Sequence, residues 1–302
     1  MGKKGRYSDQ SESLPPHSHW LGTDWGRDAE QCSAYLRELK PDWLVVDHYA
    51  LDHQWEGKLR ATCKKIMVID DLADRRHNCD LLLDQTYGQD SEAYRTLVPA
   101  EGKVIVGTKF ALLRPEFAEL RNYSLSRRTS AQFDKILITM GGVDKDNVTG
   151  KVLDALGFCE LPPDCKITVV MGGTAPWLQD IQKKVKTLRY KVVIKVNVDD
   201  MAKLMADSDL AIGAAGSTTW ERCCLGLPSM LIALAVNQKL ALKKLNDAGA
   251  AVEFNLDNIC TQVNLFFSTE NQHEKTMEMS HSSSTIVDGH GVNRVIRKME
   301  LN

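Results

Sequence analysis

The run Gly213-Ala214-Ala215-Gly216-Ser217-Thr218-Thr219-Trp220-Glu221 combines a nearly bare turn with hydroxyls and a carboxylate. It follows the apolar Leu210-Ala211-Ile212 and precedes a Gly226/Pro228 stop, which reads as strand, tight turn, helix. Bare backbone opening a helix leaves main-chain N–H groups aimed outward, a geometry suited to phosphate. Ser217, Thr218 and Thr219 add hydroxyl donors. Glu221 falls in the first helical turn, where a carboxylate can accept from two neighbouring sugar hydroxyls. The same residues have a purely structural reading, in which Ser217 caps the helix and Glu221 completes a capping box.

A second bare corner lies upstream, where Lys135-Ile136-Leu137-Ile138-Thr139-Met140 runs into Gly141-Gly142. Gly141 and Gly142 together with Gly216 and Ser217 could hold a diphosphate by main-chain N–H groups. The alternative is two ordinary strand-to-helix turns. The sequence has no Gly-x-x-x-x-Gly-Lys-Ser/Thr run, and no Gly-x-Gly-x-x-Gly run follows a strand, so neither a P-loop nor a dinucleotide fingerprint is supported. Asn237-Gln238 supplies two amides just beyond the strand Met230–Leu234. Earlier in the chain, Asp47-His48-Tyr49 ends the apolar run Trp43–Val46. An imidazole near pKa ~6.5 can serve as base or acid at neutral pH, so His48 is a catalytic candidate, with a structural histidine as the alternative. His77 reads as a locally bonded loop residue, and the Asp70-Asp71 pair as caps and turns.

The elements that must position these residues alternate in type. Asp28–Lys40 has helical spacing and Pro41 ends it. Trp43–Val46, Lys65–Ile69, Leu81–Leu83 and Val104–Val106 are short apolar runs, the first read as a strand buried on both faces of a parallel sheet. Gln54–Lys64 between them reads as helix. Asn122–Gln132 is polar and breaks the alternation, and a linker is expected there. Five further strand–loop units follow, with helices over Leu240–Ala248, Met277–Ser284 and Gly291–Met299. The expected fold class is α/β, two doubly wound Rossmann-like domains with a cleft between them, over residues 1–125 and 133–302.

The 302 residues are 43% hydrophobic and 26% charged, enough for a sizeable core. A net charge of −2 gives no reason to expect nucleic acid or an anionic membrane as partner. No apolar run approaches the ~20 residues of a membrane span, and Met1–Gln10 lacks an apolar signal core. The eight cysteines show no Cys-x-x-Cys pair, which points to reduced thiols in a cytoplasm. No metal site and no cofactor are expected.

The joint pattern resembles a known family. Asp47-His48-Tyr49-Ala50-Leu51-Asp52, Asp70-Asp71-Leu72-Ala73-Asp74-Arg75 and His77 to Gln85 carry the resemblance, continued by Met140-Gly141-Gly142-Val143-Asp144, Gly213–Glu221 and Asn237-Gln238. They are similar to the hydrolases of pseudaminic acid synthesis that act on UDP-2,4-diacetamido-2,4,6-trideoxy-β-L-altropyranose. The similarity covers roughly residues 14 to 299. The resemblance implies a GT-B-type fold and a metal-free reaction, in which water attacks C1 of the nucleotide sugar, UDP leaves and C1 inverts. It implies that Gly141, Gly142, Gly216 and Ser217 lie at the phosphates and Glu221 at the ribose; Thr218 beside them is a further candidate for binding the UDP-sugar. Val198–Met201 would meet uracil largely through main chain, and Asn237 and Gln238 would face the sugar or the phosphates.

The chain also departs from the family. Members open with a Gly-x-Gly-His-x-x-Arg loop whose histidine activates water, and this sequence has none. Tyr49 matches the tyrosine that orients that base, and Thr86 stands where members often have Asn. Gly289-His290-Gly291 is no substitute, since it falls in the C-terminal helix region. The expectation is an N-terminal domain lacking its first units. The alternatives are a UDP-sugar-binding relative without turnover and an enzyme in which His48 serves as base. A UDP-sugar glycosyltransferase is a third class, and a legionaminic-type sugar stays open. A monomer acting on a small molecule is expected.

Overall fold

The computed structural model describes residues 15, 17–129, 133–268 and 272–301. The chain forms two compact units. The first comprises the chain up to Asp84 with Asp90–Ile105, the second Gln85–Gln89 with Val106–Leu301.

In the first unit, α1 (Trp25–Leu39) starts where Asp24 accepts from the Gly26 and Arg27 N–H groups, and it stops at Lys40 in a left-handed conformation. Then come β1 (Trp43–Val46), α2 (His53–Leu59), β2 (Lys65–Ile69), β3 (Leu81–Asp84) and β4 (Lys103–Val106), forming one sheet in the order β1-β2-β3-β4. β1 runs parallel to β2, and β2 to β3. β3 is buried throughout, as an apolar run in a parallel sheet should be. β1 is not buried on both faces as its composition suggests. It is the edge strand, and Val45 is 50% exposed. The core gathers Ala29, Trp55, Leu59, Ile66, Val68 and Leu82.

The second unit opens with α3 (Pro115–Arg127), which has proline in its first turn. The polar stretch read as a linker is therefore helix as far as Arg127; residues 130–132 lie outside the described residues. Its polar side chains point at carbonyls. Arg121 donates to Val287 O at 3.0 Å and Ser284 O at 2.8 Å, and Ser124 Oγ donates to Leu225 O at 2.7 Å. Arg128 reaches Leu225 O, Ser208 O and Met205 O. What a one-dimensional reading takes for solvated linker is a row of donors satisfying helix-end carbonyls.

The unit continues through β5 (Lys135–Thr139), α4 (Val148–Gly157), β6 (Lys166–Met171), α5 (Leu178–Lys184), β7 (Lys191–Val196), α6 (Met201–Ala206) and β8 (Leu210–Ala214). After these come α7 (Thr218–Cys224), β9 (Ser229–Ile232), α8 (Val236–Asp247), β10 (Val252–Glu253), α9 (Ile259–Ser268), α10 (Gln272–Ile286) and α11 (Gly291–Glu300). The six strands form one sheet, β10-β9-β8-β5-β6-β7, with every neighbouring pair parallel. One face packs Ile136, Ile138, Val152, Val169 and Ile212. The other packs Leu137, Ala211, Trp220, Leu231 and Leu242. Cys223 and Cys224 belong to the second core; burial pushes their thiols up to about 12 and about 11, and they pack as small hydrophobes. Gly291 is structural: a Cβ there would sit 2.1 Å from Ala111 O. No helix among the described residues is long and apolar enough to cross a membrane.

Candidate functional site

In the second unit the chain enters at β5, in mid-sheet. β6 and β7 are laid on one side, and β8, β9 and β10 on the other. The strand order therefore reverses between β5 and β8, and a crevice outside the carboxyl ends of such strands is where open α/β sheets take ligands. Register places Ile138 opposite Ile212 and Thr139 opposite Gly213. The corners Gly141-Gly142 and Gly216-Ser217 thus leave adjacent strands at the same end.

The first corner is bare. Gly141 has φ +91°, a conformation that favours glycine, and an added Cβ at Gly141 or Gly142 would meet nothing within 4 Å. The N-terminus of α4 behind it is already satisfied. Asp144 accepts from Val148 N at 2.8 Å and Thr149 N at 2.9 Å, and Asn147 accepts from Gly150 N at 3.1 Å. Donors for an anion here belong to the loop itself, not to α4.

At the second corner Ser217 makes no side-chain capping bond, so the capping-box reading is not realised. Thr219 Oγ1 is buried and has no partner. Gln238 reaches across: its Oε1 accepts from Leu234 N at 2.8 Å, and its Nε2 lies 3.7 Å from where a Gly216 Cβ would be. Asn237 and Gln238 fall in the first turn of α8, which begins at Val236, earlier than the sequence suggests. Asn237 is exposed. Burial raises the Glu221 carboxyl above its ordinary range, against the pull of Arg114 and Arg222. Arg114 also donates to Asp199 O at 3.0 Å, pinning the main chain between Val198 and Met201. The Val198 and Met201 side chains pack on the second core, so that segment can offer a ligand mainly its backbone. Nothing in the Arg114 sequence context distinguished it; the signal appears only when α3 is placed beside the sheet edge.

In the first unit the carboxyl ends of β1 and β2 carry a separate polar group. The Tyr49 hydroxyl donates to Asp71 Oδ1 at 2.7 Å. Burial and the neighbouring carboxylates raise its pKa, so it remains a protonated donor at neutral pH. His48 Nδ1 accepts from Ala50 N at 3.1 Å, which engages the lone pair a general base needs. Asp70 Oδ2 accepts from Ala73 N at 2.9 Å, and its Oδ1 lies 2.7 Å from buried Arg75. The Asp70-Asp71 pair thus divides between a turn cap and a partner for Tyr49. His77 lies in a loop, but its side chain is not bonded locally: it is buried, with Nδ1 2.8 Å from Glu56 Oε1 of α2.

Comparison with known proteins fits this architecture. The model of the glycosyltransferase family 28 C-terminal domain matches residues 135–289, just over half of the chain. The chain belongs to this family. The family 28 match spans β5 through α10, and so includes both glycine corners, Glu221 and the Asn237-Gln238 pair. An uncharacterized protein of Methanocaldococcus jannaschii is 30% identical over 204 residues, 65% of this chain but only 41% of that protein's length. The UDP-2,4-diacetamido-2,4,6-trideoxy-β-L-altropyranose hydrolase of Campylobacter jejuni is 28% identical over 220 residues, 72% of this chain and 76% of that enzyme. Among solved structures, the UDP-GlcNAc 2-epimerase of Neisseria meningitidis bound to UDP-GlcNAc superposes with a TM-score of 0.64 at 14% identity. It covers 92% of this chain and 81% of that one. The fold is α/β with two parallel sheets, GT-B-like, as the sequence leads one to expect.

Proposed function

We propose that this chain binds a UDP-linked sugar at the carboxyl edge of the six-stranded sheet and hydrolyses it at C1. The observation that carries the reading is the pairing of β5 with β8, which brings the bare corners Gly141-Gly142 and Gly216-Ser217 to one end of adjacent strands. Water attacks C1, the C1–O bond breaks, and the bonding pair leaves with the diphosphate as UDP. Main-chain N–H groups of the two corners and the Thr218 hydroxyl face the diphosphate, where charge develops as the bond breaks. Glu221 accepts from the ribose hydroxyls, the Val198–Met201 backbone meets uracil, and Asn237 and Gln238 meet the sugar or the phosphates. Tyr49 orients the attacking water or its base. The name of the Campylobacter relative supports a UDP-linked 2,4-diacetamido-2,4,6-trideoxy sugar as substrate.

UDP release from that sugar nucleotide, followed in a coupled assay, tests the reaction. Turnover supports hydrolysis. A second reading, UDP-sugar binding without turnover, is favoured by His48, whose lone pair is engaged by Ala50 N. A rise in melting temperature with UDP and no release would establish it, and neither effect would remove both readings.

A further inference from the structure

Beneath the two corners lies a group to which no role has been given. Arg222 is 1% exposed. Its Nη1 donates to Ala214 O at 3.0 Å and its Nη2 to Thr139 O at 3.4 Å. Those carbonyls are the last of β8 and β5 before each corner. Gly213 makes room for the guanidinium: a Cβ there would lie 2.3 Å from Arg222 Nη2 and 2.6 Å from Thr139 O. Arg222 Nε is buried with no partner. Among the described residues no carboxylate forms an ion pair with it, whereas buried Arg75 has Asp70 at 2.7 Å. Arg128, the other deeply buried guanidinium of this unit, has Nε and both Nη atoms bonded. Burial holds Arg222 down to about 10, so it is still charged at neutral pH.

The charge of the neighbouring Glu221 acts on Arg222 without a bond, so the buried guanidinium still has room for a further anion to offset its burial. The carbonyls that end β5 and β8 both turn toward this one guanidinium, which ties the two strand ends together directly behind the corners. We propose that Arg222 is a positioning residue of the diphosphate site, tying the ends of β5 and β8 together and placing behind both glycine corners a positive charge that a bound diphosphate neutralises. The proposal rests on the UDP reading above and adds to it an electrostatic element the corners alone lack. Thr219, three residues earlier in the same helix, also has a buried side-chain oxygen with no partner.

The test compares UDP with uridine, which lacks the diphosphate, by NMR titration of wild type, Arg222→Met and Arg222→Lys. The charge acts on phosphate and not on the nucleoside. Arg222→Met should therefore shrink the ratio of uridine Kd to UDP Kd about tenfold or more, with uridine affinity held within about threefold. Arg222→Lys keeps the charge and should hold the ratio within about threefold of wild type. Equal weakening of both ligands in Arg222→Met, or no weakening of UDP, overturns the proposal. If Arg222→Met fails to fold, Arg222→Lys decides, and a tenfold smaller ratio there overturns it. Wild-type protein that binds neither ligand would remove the underlying UDP reading instead.

Discussion

Gly172 N donates to Gly142 O at 3.0 Å, and a Cβ on Gly172 would sit 2.3 Å from that same oxygen. The end of β6 thus props the corner after β5, main chain on main chain. Gly172→Ala forces the corner to move, at about 1–3 kcal/mol in stability. If the corner holds the diphosphate, the same change weakens UDP by about tenfold. Calorimetric titration and a melting curve check both. UDP affinity unchanged in a destabilised variant would place the corner outside the site.

Gly142 gives the converse. A Cβ there meets nothing within 4 Å, and its φ is not positive, so alanine fits the free protein. Gly142→Ala should leave stability within about 0.5 kcal/mol. A bound phosphate occupies that open space, so UDP affinity should fall by about tenfold all the same. Open space kept bare for no occupant would show as unaltered UDP binding.

The contrast between these two glycines shows what the sequence could and could not tell. Both corners were legible because each is local: an apolar run, then residues without side chains. Their adjacency was not, since it depends on β8 pairing with β5 across about seventy intervening residues. Chain-order reading failed wherever a polar side chain found a distant acceptor. Ser124 and Arg128 looked like linker composition because the carbonyls they satisfy lie 77 to 101 residues away. His77 is a loop residue as read, but its bonding is not local, because its partner Glu56 sits on α2. Arg222 carries no signal of its own in the sequence, and Gly213, one strand back, leaves the space that its guanidinium fills. β1 misled in the opposite sense: its composition is that of a central strand, but among the described residues no strand pairs with its outer edge.

Tyr49→Phe removes the 2.7 Å bond to Asp71 and little else. The fold should lose about 0.5–1.5 kcal/mol, the net worth of one such bond. Were Tyr49 to orient the water or its base, UDP release would slow by about 10²-fold while UDP affinity stayed the same. Initial rates at saturating sugar nucleotide, beside a UDP titration, separate these outcomes. An unchanged rate in an active protein would leave Tyr49 a structural partner of Asp71.

Glu221 ties stability to function through pH. Burial raises its carboxyl above the ordinary 4.5, so between that value and its folded pKa the folded chain keeps a proton that the unfolded chain has lost. Its contribution to stability is full below the ordinary value and is lost as pH rises through the folded one. Above its folded pKa the free protein carries a desolvated carboxylate, and there the neutral Glu221→Gln should melt at an equal or higher temperature than wild type. Binding has the opposite sign. Ribose hydroxyls donate to the ionised form, so wild-type UDP affinity should climb relative to that of Glu221→Gln as pH rises from 4.5 through the folded pKa. At neutral pH the variant should bind UDP about 1–3 kcal/mol more weakly, as for a lost hydrogen bond to a charged group. Calorimetric titrations of both proteins across pH 5 to about 8 resolve the two curves, spanning the window opened by the raised pKa. Parallel pH profiles would detach Glu221 from the ribose, and a fall in melting temperature for the variant would make the carboxylate a structural group.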